Sequence, residues 1–435
     1  MSLPLIAVVG RPNVGKSTFV NRIVQGQDAI VHASSGVTRD RSYHRADWNG
    51  VEFMLVDTGG IEFTADDAFG PSIRAQAVTA AEQADIVVFL VDGKSGIAPG
   101  DEDVAKLLKR SGATVFLVVN KADNPGNFDM IHEFWGLGLG QPWGVSALHG
   151  HGTGDLLDEI VSALPESEPE PEIDAINVAI IGRPNAGKSS LFNRLLGVER
   201  SIVSDVAGTT RDALDTLLER DGVAYRLVDT AGLRRKSQID EEVEYYSFVR
   251  AMRAIDRADV AVLVVDSPLG ITDQDQRVAR FAAERGCAIV VVLNKWDIVP
   301  GPEDKLEVSA TVPEKLGFIG FAPVLRVSAL TGTAIGKVLP AIKQAYDSFT
   351  QTIPTSGLNK WLTDVRATGH TVSHQGKALR LSYVTQTGVK PPVFTFFANH
   401  PQLVDDGFER YLENRIRENF DLTGTPIRLR FRKKA

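Results

Sequence analysis

One octapeptide occurs twice in this 435-residue chain, with glycine, lysine and serine at matching places. The first copy is Gly10-Arg11-Pro12-Asn13-Val14-Gly15-Lys16-Ser17, and the second is Gly182-Arg183-Pro184-Asn185-Ala186-Gly187-Lys188-Ser189. Glycines let backbone N–H groups wrap around phosphate oxygens, and a helix that begins at the lysine adds positive potential. The pattern therefore predicts two phosphate-binding loops, in which Lys16 and Lys188 reach the β and γ phosphates of a nucleotide.

Each loop ends in a hydroxyl that can hold Mg²⁺ beside the phosphates, and each repeat later places an aspartate at the end of an apolar run. Ser17 and Asp57 form this set in the first repeat, and Ser189 and Asp229 form it in the second. Hydroxyl and carboxylate oxygens are the ligands that Mg²⁺ prefers. We therefore expect one Mg²⁺ site in each repeat.

A further motif in each repeat indicates which base is bound. The segments are Asn120-Lys121-Ala122-Asp123 and Asn294-Lys295-Trp296-Asp297, and each follows an apolar strand. The aspartate can accept hydrogen bonds from guanine N1–H and N2–H₂, whereas adenine has no donor there, and such sites reject the wrong ligand by roughly 10⁴ to 10⁵. The backbones of Ser146-Ala147-Leu148 and Ser328-Ala329-Leu330 can donate to guanine O6. Together these motifs predict two GTP sites.

The other landmarks of the two repeats keep a constant spacing. Thr38-Arg39-Asp40 corresponds to Thr210-Arg211-Asp212, and Asp57-Thr58 corresponds to Asp229-Thr230. A period this long indicates two complete domains in tandem rather than a solenoid, whose units have about 20 to 50 residues. We predict a first nucleotide-binding domain at residues 1–164, an acidic, proline-rich linker at 165–174, a second such domain at 175–350 and a smaller domain at 351–435.

Apolar strands that alternate with amphipathic helices predict an α/β fold in each repeat, with a parallel sheet covered by helices on both faces. The expected strands are Leu5–Val9, Phe53–Val56, Ile86–Val91 and Thr114–Val119 in the first repeat, and Val178–Ile181, Tyr225–Val228, Val260–Val265 and Ile289–Leu293 in the second. After residue 350 the pattern changes to helix, strand, strand, helix and strand. The tail is therefore expected to form a small α+β domain.

Composition limits the class of protein. Hydrophobic residues make up 43% and charged residues 23% of the chain, and no apolar run approaches the roughly 20 residues of a membrane helix. Cys287 is the only cysteine and lies beside an apolar strand, so we interpret it as a core residue. The chain has no secretory signal pattern, and we expect a cytoplasmic protein.

The net charge of −8 is unevenly distributed, because the last 85 residues contain 13 Lys or Arg against 7 Asp or Glu. In the final predicted strand, apolar residues alternate with Arg428, Arg430 and Arg432, and Lys433 and Lys434 follow. Cations about 7 Å apart can follow a nucleic-acid backbone, although a solvated strand face would look the same. No GxxG loop for RNA occurs after residue 350. Phe394, Phe396 and Phe397 are either base-stacking residues or, as we favour, core residues.

The motifs of both repeats and several tail segments resemble the Der family, also called EngA, of bacterial ribosome-assembly GTPases. The tail segments are Tyr383-Val384-Thr385-Gln386, Pro391-Pro392-Val393-Phe394, Arg410-Tyr411-Leu412-Glu413-Asn414 and Gly424-Thr425-Pro426-Ile427-Arg428. The resemblance implies two tandem P-loop GTPase domains followed by a KH-like domain, and GTP hydrolysis with Mg²⁺. It further implies that the partners are the large ribosomal subunit and its rRNA, and that the protein is a monomer.

The resemblance also implies catalytic roles. Thr38 and Thr210 would sense Mg²⁺ and the γ phosphate, while Asn13 and Asn185 would hold K⁺ or, equally, only support their loops. Ile61 and Leu233 stand where many GTPases carry a glutamine that orients water, so intrinsic hydrolysis should be weak without another charge at the transition state. The nucleotide-contacting segments that contain them are Asp57-Thr58-Gly59-Gly60-Ile61 and Asp229-Thr230-Ala231-Gly232-Leu233.

Two other functions fit part of the pattern. An RNA-modifying GTPase resembling MnmE would have one nucleotide-binding domain and a catalytic cysteine, and the tail contains no cysteine. A signalling switch that binds anionic lipid would need a basic amphipathic helix or a lipidation motif, and neither is found. The segments after the two metal-binding aspartates differ in charge, acidic in the first repeat and basic in the second, so we expect different partners for them.

Overall fold

The computed structural model describes residues 3–25, 43–57, 74, 77–78, 80–81, 84–123, 129–165, 174–197, 202–205, 215–230, 243–367, 373–374 and 377–433. The chain divides into two compact units, Met1–Pro171 and Glu172–Ala435. This division falls inside the acidic, proline-rich segment, of which residues 166–173 lie outside the described ranges. Among the described residues, no helix is long and apolar enough to cross a membrane.

The first unit contains one six-stranded sheet. Its strands are β1 (Leu5–Val9), β2 (Tyr43–Trp48), β3 (Val51–Asp57), β4 (Ile86–Asp92), β5 (Val115–Asn120) and β6 (Pro142–Gly144). Its helices are α1 (Lys16–Gln25), α2 (Pro99–Ser111), α3 (Asp129–His132) and α4 (Thr153–Ser162). The strand order is β2-β3-β1-β4-β5-β6, and every neighbouring pair is parallel except β2 with β3.

Both faces of this sheet are buried. Ile6 and Val8 belong to one apolar cluster, whereas Ala7 and Val9, which alternate with them along β1, belong to another. Successive side chains of a strand point to opposite faces, so the two clusters occupy the two sides of the sheet. This explains why the strands are almost continuously apolar, and it confirms the predicted α/β class.

The second unit begins with a seven-stranded sheet. Its strands are β7 (Ile176–Ile181), β8 (Ile202–Asp205), β9 (Thr216–Arg220), β10 (Val223–Leu227), β11 (Val260–Asp266), β12 (Ala288–Asn294) and β13 (Val324–Arg326). Its helices are α5 (Lys188–Leu196), α6 (Val243–Arg257), α7 (Asp273–Arg285), α8 (Pro302–Lys315) and α9 (Val338–Thr350). The order is β13-β12-β11-β7-β10-β9-β8. Cys287 is buried just before β12, and its thiol donates weakly to the Ile255 and Ala258 carbonyls, each at 3.4 Å.

The sheets are mixed rather than purely parallel, which the sequence analysis did not anticipate. β2 and β3 form one antiparallel hairpin, and β9 and β10 form another. Their turns are Asn49-Gly50 and Asp221-Gly222, and all four residues have positive φ. Asn-Gly and Asp-Gly are the dipeptides that favour two-residue hairpins, because such turns need left-handed backbone at both positions. Each hairpin therefore introduces an antiparallel pair on one side of its sheet, whereas β6 and β13 at the opposite edges pair in parallel.

The rest of the second unit contains the predicted helix-strand-strand-helix-strand series, with two additional short strands between the first helix and the next predicted strand. Its elements are α10 (Thr355–Ala367), β14 (Ser373–His374), β15 (Lys377–Ala378), β16 (Leu381–Gly388), β17 (Val393–Ala398), α11 (Asp406–Asn419) and β18 (Arg428–Lys433). β14 and β15 pair only with each other. The main sheet has the order β16-β17-β18, antiparallel and then parallel. Helices α10 and α11 share one apolar cluster with this sheet.

The C-terminal subdomain packs against the second nucleotide-binding domain through backbone and charged contacts. Gly424 accepts a hydrogen bond from the Ile289 N–H at 2.7 Å and donates to the Phe321 carbonyl at 2.8 Å. Lys390 pairs with Asp259 at 3.0 Å. Because Ile289 belongs to β12, the subdomain is attached directly to a strand that lies second from one edge of the larger sheet.

Candidate functional site

The first phosphate-binding loop connects β1 to α1, as predicted. Lys16 is buried and donates from Nζ to the carbonyls of Gly10 and Arg11, at 2.8 and 2.9 Å. Gly15 has φ +97°, and a Cβ there would lie 2.4 Å from Asn120 Nδ2, so only glycine fits. Burial lowers the pKa of Lys16, and the charge of Asp57 opposes that shift. The lysine is thus held at the loop in the position that a phosphate-binding role requires.

The oxygen donors expected for Mg²⁺ meet in the first domain. Asp57 is fully buried at the end of β3, and Ser17 Oγ donates to its Oδ2 at 2.5 Å. These two side chains come from positions 40 residues apart and present only oxygen atoms, which suits a hard cation. Ser17 and Asp57 would therefore hold the Mg²⁺ that neutralises charge on the β and γ phosphate oxygens.

Asn120 connects the phosphate loop to the base-recognition loop. Its Nδ2 donates to the Val14 carbonyl at 2.8 Å, and its Oδ1 accepts from the Ala147 N–H at 2.9 Å. The next residue, Lys121, has φ +66° and donates to the Asn13 carbonyl at 2.9 Å. The predicted motifs are consequently brought together by hydrogen bonds across more than 100 positions of sequence.

The guanine-recognising aspartate of the first domain has two hydrogen-bond donors. Ser146 Oγ reaches Asp123 Oδ1 at 2.8 Å, and Lys94 Nζ reaches Oδ2 at 2.6 Å. The hydrogen bonds from Lys94 and Ser146 lower the pKa of Asp123, which favours the ionised carboxylate that the predicted base recognition needs. Sequence reasoning missed Lys94, although its place two residues after Asp92, at the carboxyl end of a strand, was a usable signal.

The second phosphate loop repeats this arrangement between β7 and α5. Lys188 donates to the Gly182 and Arg183 carbonyls at 2.7 and 2.6 Å, and burial lowers its pKa to about 8. Asn294 donates to the Ala186 carbonyl at 2.9 Å and accepts from the Ala329 N–H at 3.0 Å. Both loops are therefore supported by the same set of contacts.

The metal-binding aspartate of the second domain has different surroundings. Asp229 has φ +54°, and its N–H donates to Asp215 Oδ1 at 3.1 Å. Burial raises the pKa of Asp229 to about 6, in spite of the positive charge of Arg250, Arg253 and Arg257. Within the part of the chain that the structure describes, Ser189 makes no hydrogen bond to Asp229. Serine and aspartate oxygens again suit Mg²⁺, which Ser189 and Asp229 would hold.

Asp215 is a buried carboxylate that the sequence analysis did not single out. It is 2% exposed and ion-pairs with Arg226 at 2.8 Å and with Arg257 at 2.7 Å. Asp215 directly precedes β9, Arg226 lies on β10 and Arg257 ends α6. These three residues, the Asp215 cluster, connect three elements around the backbone of Asp229.

The base-recognition residues of the second domain are more open. Asp297 is exposed, while Ser328 is buried and its hydroxyl accepts a hydrogen bond from the Thr331 N–H at 3.1 Å. Lys295 pairs with Asp266 at 2.7 Å, as Lys121 does with Asp92 at 2.6 Å. The third residue of each Asn-Lys-x-Asp motif has the same backbone contact in both domains. The N–H groups of Ala122 and Trp296 donate to backbone carbonyls at corresponding positions next to the adjacent strand.

Asn13 and Asn185 have left-handed backbone conformations, with φ of +65° and +61°. Asparagine tolerates this conformation better than most residues, which is consistent with a role in loop support. Their side chains are exposed, and no hydrogen bond of either carboxamide is found among the described residues. The geometry thus accommodates both roles considered for them.

Several predicted site residues lie outside the described residues. They are Thr38, Thr58, Gly59, Gly60, Ile61, Thr210, Ala231, Gly232, Leu233 and Lys434, together with the remainder of the segments that follow Asp57 and Thr230. Thr230 itself is fully buried, and its hydroxyl is 3.0 Å from that of Thr216. Leu148 and Leu330, at the ends of the Ser-Ala-Leu segments, are 64% and 79% exposed.

The final strand alternates as predicted. Arg428, Arg430 and Arg432 are exposed, whereas Leu429 and Phe431 pack against the core of the subdomain. Arg428 Nη2 donates to the Glu284 carbonyl of the second nucleotide-binding domain at 3.2 Å, so this arginine belongs to an internal contact. Phe394 and Phe396 are fully buried, but Phe397 lies outside the core cluster, where the core interpretation was wrong.

Comparison with known families supports the reading of all three parts. Residues 5–121 and 177–295 each match the family described as 50S ribosome-binding GTPase. Residues 352–432 match the family described as KH-domain-like of EngA bacterial GTPase enzymes, C-terminal. Together, the matches show two tandem GTPase domains with mixed sheets, followed by a KH-like domain.

Curated relatives match over the full length. GTPase Der of Heliobacterium modesticaldum is 47% identical over 437 residues, covering 100% of this chain and 99% of the relative. GTPase Der of Moorella thermoacetica is 48% identical over 434 residues with the same coverage. GTPase Der of Listeria monocytogenes is 45% identical over 436 residues and is covered completely.

Solved structures give weaker matches. Aquifex aeolicus Era bound to GDP and AlF₄⁻ is 21% identical, with a TM-score of 0.32, and the match covers 75% of this chain and 93% of that one. The G domain of FeoB from Methanococcus jannaschii is 25% identical, with a TM-score of 0.28, over 38% of this chain and 98% of that one.

The full-length identity and the family matches agree with the site geometry, in which an asparagine of each domain joins the phosphate loop to the base-recognition loop. The chain belongs to the Der family, also called EngA, and is a GTPase that converts GTP and water to GDP and phosphate.

Proposed function

We propose that this GTPase acts in ribosome biogenesis, where it assembles or stabilises the large ribosomal subunit by nucleotide-gated binding to rRNA. One observation carries the proposal: the phosphate loops and guanine motifs of two nucleotide sites share a chain with a small subdomain whose last strand exposes arginines. The description of the matching family, which names 50S ribosome binding, supports the choice of subunit. The protein acts as a monomer in the cytoplasm, where ribosomes are made.

The residues of each site divide the work of hydrolysis. Lys16 and Lys188 bind the β and γ phosphates, and burial of their ammonium groups strengthens the electrostatic attraction to a phosphate because water screens it less. Thr38 and Thr210 would bind the Mg²⁺ near the γ phosphate and thereby sense which nucleotide is bound. Asp123 and Asp297 select guanine, because adenine would leave their carboxylates unpaired.

Asn13 and Asn185 would hold a K⁺ ion, which would supply positive charge at the transition state. Ile61 and Leu233 cannot orient the attacking water, so each site needs another positive charge at the transition state. The exposed carboxamides of Asn13 and Asn185 are available to a cation. Glycine at these two positions would keep the left-handed backbone and remove only the carboxamide.

This design gives a matched test of the potassium role. We expect the wild-type protein to hydrolyse GTP faster in KCl than in NaCl. In N13G and N185G, the ratio of the two rates should fall to one at the altered site. Steady-state phosphate release in the two salts measures it. Equal rates for the wild type, or an unchanged ratio in both glycine variants, would leave the asparagines with loop support alone.

The domain boundaries belong to the same proposal. We assign residues 1–164 to the first G domain, 165–174 to the linker, 175–350 to the second G domain and 351–435 to the KH-like domain. The compact units divide at Pro171–Glu172, within the proposed linker. The C-terminal contacts of Gly424 and Lys390 support a KH-like domain that is packed on the second G domain.

Sedimentation tests the main proposal. Purified protein is mixed with isolated large or small ribosomal subunits, in the presence of a non-hydrolysable GTP analogue, GDP or no nucleotide, and centrifuged through a sucrose gradient. We expect co-migration with the large subunit in the presence of the analogue only. The K188A variant is the control, because it should lose the effect of the analogue at the second site.

Two results would contradict this function. Migration as free protein in every nucleotide state would contradict binding to the ribosome. Equal co-migration with small and large subunits would contradict the choice of subunit, and nucleotide-independent co-migration would contradict gating.

A further inference from the structure

The three-stranded sheet of the KH-like domain has one covered face and one open face. Val384, Phe394 and Phe396 point towards α10 and α11 and belong to the apolar core. Residues that alternate with them point the other way, because successive side chains of a strand project to opposite sides. Among the described residues, Tyr383 and Phe397 are aromatic residues of this second face and lie outside the core cluster.

These two rings form a pair. Tyr383 is 42% exposed, Phe397 is half-buried, and their centroids are 5.9 Å apart with an interplanar angle of 48°. Tyr383 is opposite Phe397 in the antiparallel register of β16 and β17. An exposed aromatic pair on a sheet is not needed for the core, which is complete without it.

Arginines lie directly beside the pair. In the parallel register of β17 and β18, Phe397 is opposite Arg432 and Thr395 is opposite Arg430. Both arginines are exposed and have no ion-pair partner among residues 377–433 or elsewhere in the described chain. The three strands contain no Asp or Glu, so nothing on them neutralises this face. Tyr383, Phe397, Arg430 and Arg432 are called the aromatic-arginine face below.

We propose that the aromatic-arginine face binds single-stranded RNA, with unpaired bases stacked on Tyr383 and Phe397 and phosphates paired with Arg430 and Arg432. This inference rests on the proposed function and names the kind of RNA that the subdomain takes. Stacking on aromatic rings needs bases that are free of a duplex, and an adjacent cationic row tracks the backbone. Arg428 takes no part, because it contacts Glu284.

The face differs from the usual KH mode of binding. KH domains clamp the nucleotide backbone with a GxxG loop, and none is present after residue 350. Binding on an open sheet face through aromatic residues is the mode of other RNA-binding sheets, which stack two or three bases. The order of helices and strands is thus KH-like, whereas the side chains of the open sheet face suit the stacking of bases.

The test uses the full chain and a fluorescein-labelled RNA of twelve uridines, with binding measured by anisotropy. We expect Y383L to weaken binding by about fivefold or more, which is the lower end of the effect of losing one aromatic stacking partner. The conservative variant Y383F keeps the ring and should bind like the wild type. F397L should weaken binding in the same way.

The arginines have a separate signature. For R430A we expect the slope of log affinity against log salt to fall by about 0.7, the value for one phosphate contact on a single strand. Y383L should leave that slope unchanged, because the ring carries no charge. Arg432 is exposed, so R432A is a second variant that removes a positive charge without disturbing the core.

Several results would overturn the inference. Wild-type affinity in Y383L and F397L, with unchanged thermal unfolding midpoints, would exclude stacking. If Y383L failed to fold, unchanged affinity and slope in R430A and R432A would exclude the face by themselves. Equal affinity for a twelve-base-pair RNA duplex would exclude single-strand selectivity, and binding to phosphatidylglycerol vesicles in place of RNA would assign the face to lipid.

The failure of this inference is distinguishable from the failure of the proposed function. If the wild-type protein and Y383L co-sediment equally with the large subunit, the proposed function is supported and RNA binding by the aromatic-arginine face is contradicted. If the wild-type protein binds the uridine RNA through Tyr383 but never co-sediments, the face stands and the ribosomal partner is wrong.

Discussion

The two nucleotide sites share one scaffold and differ at the metal-binding carboxylate. In both, a buried lysine donates to two loop carbonyls and an asparagine joins the phosphate loop to the base-recognition loop. In the first site Asp57 ends a regular strand and pairs with Ser17. In the second, Asp229 has a left-handed backbone and its N–H is bonded to Asp215.

The difference has a cause in the sequence. Arg226 is paired with Asn177 in its sheet, and Met54 is paired with Leu5 at the matching place in the first domain. Asp215 likewise corresponds to Tyr43. The first domain therefore cannot form the Asp215 cluster, and its corresponding aspartate, Asp57, lies in a regular strand and accepts a hydrogen bond from Ser17. The comparison teaches that duplicated sites can keep the contacts of the phosphate loop constant while the surroundings of the carboxylate diverge.

The largest expected effect comes from removing the phosphate-binding lysines one at a time. K16A and K188A should each reduce hydrolysis at the altered site by roughly 10² to 10³, because a charge at the developing transition state is lost. Binding of a fluorescent GTP analogue should fall from two sites to one in each case. If either variant kept full single-turnover hydrolysis with two bound nucleotides, the two sites would not be equivalent in mechanism.

The Asp215 cluster is the next test. D215N removes the buried carboxylate charge that ion-pairs with both Arg226 and Arg257, which should cost about 3–5 kcal/mol of the free energy of unfolding. Urea unfolding followed by circular dichroism measures the loss. The control is R45A, which breaks the exposed Arg45–Glu52 pair of the first unit and should cost under about 1 kcal/mol. Equal losses in the two variants would contradict the role given to burial.

A smaller effect is expected at the base-recognition site of the first domain. Lys94 occupies Asp123 Oδ2, an atom that guanine needs, and Pro268 lies in the corresponding position of the second domain. The pair is exposed, so K94M should tighten GDP binding to the first site by no more than about fivefold. Titration of fluorescent GDP in the K188A background reports this site. Weaker binding in K94M would show instead that the lysine assists the nucleotide.

The smallest effect concerns Cys287, which is present in the second unit only. Burial raises the pKa of its thiol to about 12, so almost none is thiolate at about pH 8. A thiol reagent should leave the native protein unmodified and label one equivalent after denaturation. The labelling rate at intermediate denaturant then follows the unfolding of the second unit alone. Rapid labelling of the native chain would contradict the burial of this residue.

The sequence predicted the repeated part of each site well and the divergent part poorly. Gly10, Lys16 and Asn120 could be placed because phosphate loops and guanine motifs use fixed spacings. The Asp215 cluster could not be predicted, since its members are 11 and 42 positions apart and only the fold makes them neighbours. Lys94 was missed for the same reason, because its partner lies 29 positions away.

Two other misses could have been avoided by local reasoning. The Asn49-Gly50 and Asp221-Gly222 turns predict the antiparallel hairpins β2–β3 and β9–β10. Phe397 was grouped with Phe394 and Phe396, although a period of two separates it from them and assigns it to the opposite face.

The hydrogen bond between Ile289 and Gly424 has a thermodynamic consequence. Ile289 lies near the start of β12, and Asn294, which holds the second phosphate loop to the guanine loop, ends the same strand. The KH-like domain and the second GTP site thus share one element about seven residues long. Any coupling transmitted by that strand must be reciprocal, so a ligand on the KH-like domain that tightens GTP binding is itself tightened by GTP to the same degree.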